Sequence, residues 1–307
     1  MPILTIFTAT YNRGHLIGRI YEALLRQSHY DFEWLVIDDG SIDNTSELFE
    51  IYLSHQNPFS IRYYRQENQG LISALNKGVQ LAEGKYLSKI DSDDYPVDTF
   101  VEKVLQWIGE ISGISTVYAV GGLKVSSDGY PLKGSWPSFK DWIDASDLER
   151  SKYNIDADLQ EAWSIEILKK YPFPLWKGEK FAPEQIVFHQ IALDGYKIRW
   201  YPEPLTICEY QEGGLTLGAS KLERMNPMGY AMMFNQKLNR KDLYFIERVK
   251  AAMNHVALSW VGRNPLYIAE TNDKLFTFLA FLPGSLLALR RLYQYYLASL
   301  KDHQSSS

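Results

Sequence analysis

The sequence has little cysteine: Cys208 is the one such residue among 307. A single cysteine forms neither an internal disulfide nor a multi-cysteine zinc site, which excludes disulfide-stapled secreted folds and cysteine-rich zinc modules. This usage suits a reducing compartment, and we expect a cytoplasmic protein. The segment Met1–Thr8 enters an apolar run without the basic region and small-residue cleavage site of a signal peptide, which favours the same expectation.

An excess of positive charge is also absent. Lys and Arg number 32 against 37 Asp and Glu, so the formal net charge is −5. This balance argues against general binding of nucleic acids or other polyanions and leaves room for a local basic pocket. The usage is otherwise that of an ordinary globular protein, with 46% hydrophobic and 22% charged residues. The length suits one large α/β domain with appendages, or two modest domains.

No apolar run is long enough to predict a membrane-spanning helix. The most apolar late stretch, Leu275–Leu289, has fifteen residues and is interrupted by Pro283–Gly284, whereas a span needs roughly 20. The following segment has apolar residues at helical spacing beside Arg290 and Arg291. Two interpretations stay open: a helix packed on the body or on a second copy in a homodimer, or a helix lying at a membrane surface.

The first hundred residues alternate between strand-like and helix-like segments. Short β-rich apolar runs predict strands, and apolar residues at helical spacing predict helices. Strands are expected at 3–10, 32–38, 61–65 and 86–90, and helices at 15–27, 45–55 and 71–82. This alternation predicts an α/β fold, with a mostly parallel, Rossmann-like nucleotide-binding sheet flanked by helices. In such sheets the ligand crevice lies at the carboxyl ends of the strands.

The pattern weakens after the first hundred residues. A helix is expected at 96–111, a strand at 117–125 and a helix at 158–171. A further helix at 184–194 and short strands at 198–201 and 205–210 follow. After Lys221 the chain is expected to be helical, with breaks at Asn264–Pro265 and Pro283–Gly284.

An acidic cluster, Asp91–Asp94, directly follows the fourth predicted strand. Three carboxylates within four positions repel one another, and desolvating them costs free energy, so something must compensate. A divalent cation such as Mg²⁺ or Mn²⁺ does so, because it takes one or two carboxylates together with substrate phosphate oxygens. The alternative is an acidic loop or helix cap in solvent.

Two further polar clusters fall at other predicted strand ends. Asp38–Ser41 follows the second strand and could accept hydrogen bonds from a nucleobase imide or ribose hydroxyls. Asn68–Gly70 and Asn76–Gly78 bracket a helix start that could approach a diphosphate, with Lys77 as a cation. Turn formation and helix capping alone are the alternative for both clusters.

Taken in order, these clusters resemble the motifs of glycosyltransferase family 2, the inverting nucleotide-sugar transferases with the GT-A fold. The resemblance runs from residue 3 to about residue 96, and more loosely to residue 214. Four segments carry it: Thr8–Arg13 is similar to the first nucleotide loop, Val36–Ser41 to the second, Glu67–Gly78 to the glycine-containing donor segment, and Ile90–Asp94 to the Asp-x-Asp metal motif.

The resemblance implies a GT-A domain over residues 1–220, with a nucleotide-binding half (1–95) and an acceptor half (96–220). A helical region at 221–302 and a polar tail at 303–307 would follow. Asp39 would contact the base, Asp91 would lie near the ribose, and Asp93 would ligate Mn²⁺ or Mg²⁺, with Asp91 as a second metal candidate. The implied donor-binding residues are Thr8, Ala9, Tyr11, Arg13, Asp38, Asp39, Asn68, Gly70, Lys77, Asp91, Ser92 and Asp93.

The catalytic base is expected at the start of the predicted helix 184–194. The family commonly has an acidic residue there, often a Glu-Asp pair, facing the acceptor. This chain has Glu184 followed by Gln185 in the comparable place, so the prediction falls on Glu184, with Asp94 second. A base must take the proton of the attacking hydroxyl. The alternative for Glu184 is a first-turn glutamate that complements the helix dipole.

These features predict a metal-dependent inverting glycosyltransferase that moves a sugar from a nucleotide sugar, by family habit a UDP-sugar, to an acceptor hydroxyl. The family's frequent role implies bacterial cell-surface polysaccharide synthesis, with a glycan or lipid-linked acceptor and contact with the inner face of the membrane. A non-catalytic carbohydrate- or nucleotide-binding protein of this fold is one alternative. A sugar nucleotidyltransferase is another, although Thr8–Arg13 lacks its basic glycine-rich loop. No Gly-x-Gly-x-x-Gly follows the first strand, which disfavours a dinucleotide oxidoreductase.

Overall fold

The chain divides into two compact units in a computed structural model that describes residues 1–132, 134, 135, 137, 139–208 and 219–304. The first unit comprises Met1–Pro172 and Val187–Glu212, and the second comprises Phe173–Ile186 and Gly213–Ser307. The short segment 173–186 thus groups with the C-terminal helices, although it lies between two parts of the first unit in sequence.

The strands of the first unit form one nine-stranded sheet. Their bounds are β1 (Leu4–Thr10), β2 (Phe32–Asp38), β3 (Ser60–Arg65), β4 (Tyr86–Lys89), β5 (Asp94–Pro96), β6 (Val117–Val125), β7 (Ile143–Ala145), β8 (Leu159–Ser164) and β9 (Lys197–Cys208). The order across the sheet is β3-β2-β1-β4-β8-β6-β9-β5, and β7 pairs with β9.

Helices cover the sheet and make up most of the second unit. The first unit contains α1 (Gly14–Leu25), α2 (Thr45–Ser54), α3 (Leu71–Leu81), α4 (Phe100–Glu110), a 3₁₀ helix (Asp147–Tyr153), α5 (Ile165–Leu168) and most of α6 (Gln185–Leu193). The second unit contains α7 (Ala219–Met225), α8 (Pro227–Lys237), α9 (Phe245–Val261), α10 (Tyr267–Glu270), α11 (Lys274–Leu279) and α12 (Phe281–Gln304).

The first four strands are parallel and end at the same edge of the sheet. β1 pairs with β2 and β4, and β2 pairs with β3, with Thr10 opposite Asp38 and Asp38 opposite Arg65. β2 is buried along its whole length, as expected for a parallel strand covered on both faces. The elements predicted for residues 1–90 are confirmed, and so is the α/β class with helices flanking the sheet.

The other half of the sheet is mixed. β8 is antiparallel to β4 and β6, β6 is parallel to β9, and β5 is antiparallel to β9. The predicted helix 158–171 is therefore wrong, because β8 occupies residues 159–164 of it and the only helix within it, α5, is a single turn. Leu, Gln, Glu and Ala favour a helix locally, but pairing on both edges overrides that preference. The strands expected at 198–201 and 205–210 are one strand, β9, as far as Cys208; residues 209 and 210 lie outside the described part.

Close packing fixes the helices that follow the loops at the carboxyl edge of the sheet. A Cβ on Gly78 of α3 would lie 2.3 Å from a ring carbon of Phe7 on β1, so this helix approaches the sheet more closely than any side chain at that position would permit. On the other face, the Tyr21 and Tyr52 rings stack with centroids 4.0 Å apart and join α1 to α2. The loops that leave β1 and β2 are thereby anchored at both ends.

Within the second unit, α9 packs against α8, α11 and α12. The predicted break at Pro283–Gly284 is wrong, because α12 begins at Phe281 and runs through both residues. Pro283 lies in the first turn, where a helix leaves backbone N–H groups unpaired, so the missing N–H costs little. Gly284 packs against Val256, which a Cβ there would meet at 2.7 Å.

The side of α12 turned away from α9 is apolar. Leu282, Leu286, Leu289 and Tyr293 are each more than half exposed and recur at helical spacing. Among the helices of the described residues, none combines the length and apolar character needed to cross a bilayer.

Candidate active site

The loops after β1 and β2 are tied to each other at the carboxyl edge of the sheet. Asn12 has φ 53°, in the left-handed region, and its N–H donates to Ser41 Oγ at 2.9 Å. Asn12 Oδ1 accepts from the Ile42 N–H at 2.8 Å, and Asp43 Oδ2 accepts from the Gly14 N–H at 3.0 Å. These reciprocal bonds hold the two predicted nucleotide loops as one rigid surface.

Asp38 is buried and serves its own loop. Its Oδ1 accepts from the Ser41 N–H at 2.8 Å, and its Oδ2 accepts from the Tyr63 hydroxyl at 2.6 Å. Both donors are neutral, and the side chain is fully removed from solvent. Asp38 thus shapes the second loop and holds it against β3.

Asp39 links the second loop to the start of α3. Its Oδ1 accepts from the Gln69 N–H at 2.9 Å and from Gln66 Nε2 at 2.8 Å, while Oδ2 accepts from the Gly70 N–H at 2.7 Å. Gly70, with φ 92°, is the residue before the helix. The carboxylate predicted to read a base is therefore also the group that positions the segment 66–70.

An open cleft of about 520 Å³ lies beside Asp39, lined by Gly40, Arg65, Gln66, Glu67 and Asn68. Gly40 has φ 85°, and a Cβ there would lie 3.0 Å from the Asn68 N atom, so glycine is required on both counts. Sequence reasoning identified Asn68 and missed Arg65, whose guanidinium donates to the Ser41 carbonyl. Its place at the end of the predicted strand 61–65 was the feature of the sequence that could have identified it as a site residue.

Asp91 is held by two ammonium groups. Lys89 Nζ lies 3.0 Å from its Oδ1, and Lys124 Nζ lies 3.2 Å from its Oδ2. Burial raises the pKa of Asp91, but the two lysines outweigh that effect and hold the pKa well below its usual range. Both oxygens of this carboxylate are therefore committed to cations of the chain itself.

Asp94 shares one of these lysines. It is the first residue of β5, opposite Cys208, and its Oδ2 lies 2.8 Å from Lys124 Nζ. Burial raises the pKa of Asp94, Lys124 opposes the rise, and the nearby Asp91 adds to it, so the net shift is upward. Burial lowers the pKa of Lys124, but the two carboxylates raise it well above its usual range, which keeps the ammonium charged.

Asp93 forms the longest ion pair of the three acids in this loop. Its side chain is 25% exposed, and its Oδ2 lies 3.5 Å from Arg13 Nη1, at the long limit of a hydrogen bond. Within the described residues, no three His, Cys, Asp or Glu side chains are grouped to hold a metal ion. A Mg²⁺- or Mn²⁺-type ion needs one or two carboxylates besides substrate phosphates, and Asp93 fits that limited role. Asp91 is less suited to that role, because each of its oxygens already contacts a lysine ammonium group.

Cations of the chain itself compensate the acidic cluster, so the repulsion among its carboxylates does not by itself require a metal. Lys89, Lys124 and Arg13 supply three positive charges to the three carboxylates of the loop. Lys89 was visible in sequence as a charge in a short apolar strand, two positions before the motif. Lys124 gave no such signal, because β6 joins this site only through the tertiary pairing of strands.

The remaining predicted donor residues vary in position. Thr8 is fully buried, and its Oγ1 accepts from Trp34 Nε1 at 3.2 Å, so its side chain belongs to the core and not to the edge. Tyr11 is 47% exposed just after β1. Ala9 and Ser92 are half-buried at the strand end and in the acidic loop, and Lys77 lies in the second turn of α3.

Glu184 immediately precedes α6 and belongs to the second unit. The segment that carries it is anchored within that unit. Asn226 Oδ1 accepts from the Lys180 and Phe181 N–H groups at 2.8 and 3.0 Å, and the Glu179 carboxylate accepts from the N–H of Met228 at 2.7 Å. Burial raises the pKa of Glu179, against the effect of the Met228 and Gly229 N–H groups that donate to its carboxylate. The half-buried Glu184 is thus held on a fixed backbone.

Comparison with protein-family models matches residues 5–156 to Glycosyl transferase family 2, and the chain belongs to that family. Among curated proteins, the glycosyltransferase GlyG of Streptococcus pneumoniae is 30% identical over 109 residues, which are 35% of this chain and 36% of GlyG. The chondroitin synthase of Pasteurella multocida is 33% identical over 141 residues, 45% of this chain and 14% of that enzyme. The chain thus spans about a third or less of the length of these relatives.

Solved structures agree on the fold. Residues 1–349 of S. aureus TarS, in complex with UDP-GlcNAc, superpose with a TM-score of 0.63 at 17% identity, covering 95% of this chain and 80% of that TarS fragment. The mannosyltransferase PcManGT of Pyrobaculum calidifontis, in complex with GDP-Man and Mn²⁺, gives a TM-score of 0.56 at 19% identity, covering 96% and 83%. The predicted GT-A-like architecture is confirmed.

Proposed function

We propose that the chain transfers a sugar from a nucleotide-sugar donor, by preference a UDP-sugar, to an acceptor hydroxyl with inversion at the sugar carbon. The observation that carries this proposal is the arrangement of the carboxyl edge. A polar cleft beside Asp39 follows β2 and β3, and Asp93, whose carboxylate forms one long ion pair with Arg13, follows β4 of the same sheet. Such an edge is where parallel α/β sheets bind nucleotides.

In this proposal the cleft beside Asp39 takes the nucleobase, and Tyr11, which is exposed after β1, offers it an aromatic face. Asp93 holds the divalent cation, which when bound neutralises charge on the departing diphosphate. Arg13, 3.5 Å from Asp93, adds a second positive group for phosphate oxygens. TarS binds UDP-GlcNAc and PcManGT binds GDP-Man with Mn²⁺, which supports a nucleotide-sugar donor and a divalent cation for this chain.

Inversion follows from a single displacement in which the base and the leaving group lie on opposite faces of the sugar, so no protein nucleophile is required. Glu184 is the proposed base. Asp94 is the weaker candidate, because Lys124 occupies its Oδ2 at 2.8 Å. We expect Glu184→Gln to lower kcat by about 100-fold or more with little change in KM for the donor. The matched control is Glu166→Gln on α5, whose side chain is 81% exposed.

For Glu184, the measurement is initial-rate kinetics of both variants over a range of donor concentrations. A Glu184→Gln enzyme with the wild-type kcat would remove the residue from the base role. If Asp94→Asn loses turnover while Glu184→Gln keeps it, the base role passes to Asp94.

The acceptor is proposed to be a bacterial cell-surface glycan or its lipid-linked precursor, since the chondroitin synthase relative makes a polysaccharide. The proposed location is the cytoplasm, at the inner face of the membrane, where a lipid-linked acceptor is presented. The exposed apolar side of α12 suits contact with such a surface or with a second copy of the chain. In the proposed domain organisation the first 220 residues carry the donor and acceptor sites.

A donor panel tests the proposal as a whole. UDP-, GDP-, CMP- and dTDP-sugars are incubated with the chain and Mn²⁺ or EDTA, and release of the free nucleotide is measured. We expect Mn²⁺-dependent hydrolysis or transfer with one nucleotide family. Nucleotide binding without turnover for every donor and for added glycan acceptors would favour the non-catalytic binding protein of the same fold. Release of pyrophosphate from a nucleoside triphosphate and a sugar phosphate would favour a nucleotidyltransferase.

A further inference from the structure

Lys124 is a half-buried cation that contacts the acidic loop from a distant part of the chain. It lies near the carboxyl end of β6, with its side chain 16% exposed, and its Nζ contacts Asp91 Oδ2 at 3.2 Å and Asp94 Oδ2 at 2.8 Å. One ammonium group therefore joins the first and last acids of the loop and leaves Asp93 between them.

The local irregularity of the sheet supports this placement. The register between β6 and β9 shifts between Gly121 and Leu123 and again between Leu123 and Lys124, so that Lys124 lies opposite Thr206. Bulges of this kind re-aim side chains and occur at sheet edges and beside functional sites. The neighbouring Gly122 permits the close approach, since a Cβ there would lie 2.7 Å from the Glu203 carbonyl.

The loop is electrically balanced before any metal arrives. Asp91 is matched by Lys89 at 3.0 Å and by Lys124, and Asp93 faces Arg13 at 3.5 Å. A divalent cation attracted by three free carboxylates would bind more tightly than one offered a single carboxylate, because affinity follows ligand number and ligand charge. The lysines therefore control how many carboxylates the cation meets.

We propose that Lys124 is a positioning residue that holds Asp91 off the divalent cation, so that the metal meets Asp93 and depends on the donor diphosphate for its remaining ligands. The inference rests on the proposed function for the identity of the donor. The metal affinity of the chain without nucleotide tests it separately. A chain built in this way binds Mn²⁺ weakly alone and more tightly with the nucleotide.

The test is a Mn²⁺ titration of the full chain without nucleotide. The concentration of free Mn²⁺ is measured at each step from its electron paramagnetic resonance signal. Lys124→Met frees Asp91 Oδ2 and removes one positive charge, so we expect the Mn²⁺ dissociation constant to fall by about tenfold. Lys124→Arg restores the charge and should restore the wild-type value. Lys103→Met is the matched control, because Lys103 forms a comparable pair with Glu203 at 2.8 Å elsewhere in the first unit.

Two further variants keep the test decisive. Asp91→Asn in the Lys124→Met background should cancel the gain in affinity, because the freed carboxylate is then absent. If Lys124→Met does not fold, owing to the unpaired buried Asp94, the double variant Lys124→Met/Asp94→Asn removes that charge and leaves Asp91 free.

Unchanged or weaker Mn²⁺ binding by folded Lys124→Met, or a gain that persists without the Asp91 carboxylate, would overturn the assignment. If no nucleotide sugar is turned over, the proposed function fails, while the Mn²⁺ titration still decides the role of Lys124.

Discussion

The two acidic loops at the carboxyl edge of the sheet look alike in sequence and differ in what surrounds them. Asp38 and Asp39 accept hydrogen bonds from neutral donors, namely backbone N–H groups, a tyrosine hydroxyl and a glutamine amide. Asp91, Asp93 and Asp94 instead face lysine and arginine. The first loop is thus a fixed scaffold for a cleft, and the second is a balanced set of charges that an arriving cation can rearrange.

The largest effect should come from removing Asp93, the proposed metal ligand of the loop Asp91–Asp94. We expect Asp93→Ala to weaken Mn²⁺-dependent donor binding by about 100-fold and to lower turnover at least as much, because loss of a metal ligand removes the cation that meets the diphosphate. Calorimetric titration of the donor measures the affinity. Asp98→Ala is the control, since Asp98 forms only an exposed pair with Arg26. An equal loss in Asp98→Ala would show that the effect is not specific to Asp93 and would contradict its role as the metal ligand.

A change in the loop Asp38–Ser41, whose carboxylates have neutral hydrogen-bond donors, should act first on stability. In Asp39→Asn, the amide nitrogen opposes one of the N–H donors of Gln69 and Gly70, leaving it unpaired at a buried site. We expect the free energy of unfolding in urea to fall by about 2–3 kcal/mol. Asp128→Asn, in an exposed turn, should stay within about 0.5 kcal/mol of the wild type. An Asp39→Asn chain of unchanged stability that fails only in donor binding would show that Asp39 serves the ligand alone.

A smaller loss is expected for Tyr63→Phe, which removes the hydroxyl that donates to Asp38. The free energy of unfolding should fall by about 1–2 kcal/mol, because the carboxylate loses one of its hydrogen bonds. Since the donor is neutral, the loss should hardly change with ionic strength. Urea unfolding of wild type and variant at low and high NaCl measures this, and a loss that disappears in salt would place Asp38 among the ion-paired carboxylates.

Local patterns predicted the parallel half of the fold and both acidic loops. Apolar periodicity located β1 to β4 and the helices between them, and the loop residues follow from where the strands end. Residues 159–164 were mispredicted because Gln160, Glu161 and Ala162 favour a helix locally, while their pairing with β4 and β6 is a tertiary effect. Lys124 could not be placed for the same reason, since it lies 33 residues from Asp91 in sequence and meets it only through the pairing of strands.

The most direct test of the central account is a calorimetric titration of the wild-type chain with UDP, once with Mn²⁺ and once with EDTA. The account predicts binding that requires Mn²⁺, because Asp93 and the cation together bind the diphosphate, while the cleft beside Asp39 binds the nucleobase. Equal affinity for UDP in Mn²⁺ and in EDTA would contradict it, since the diphosphate would then be held without the metal.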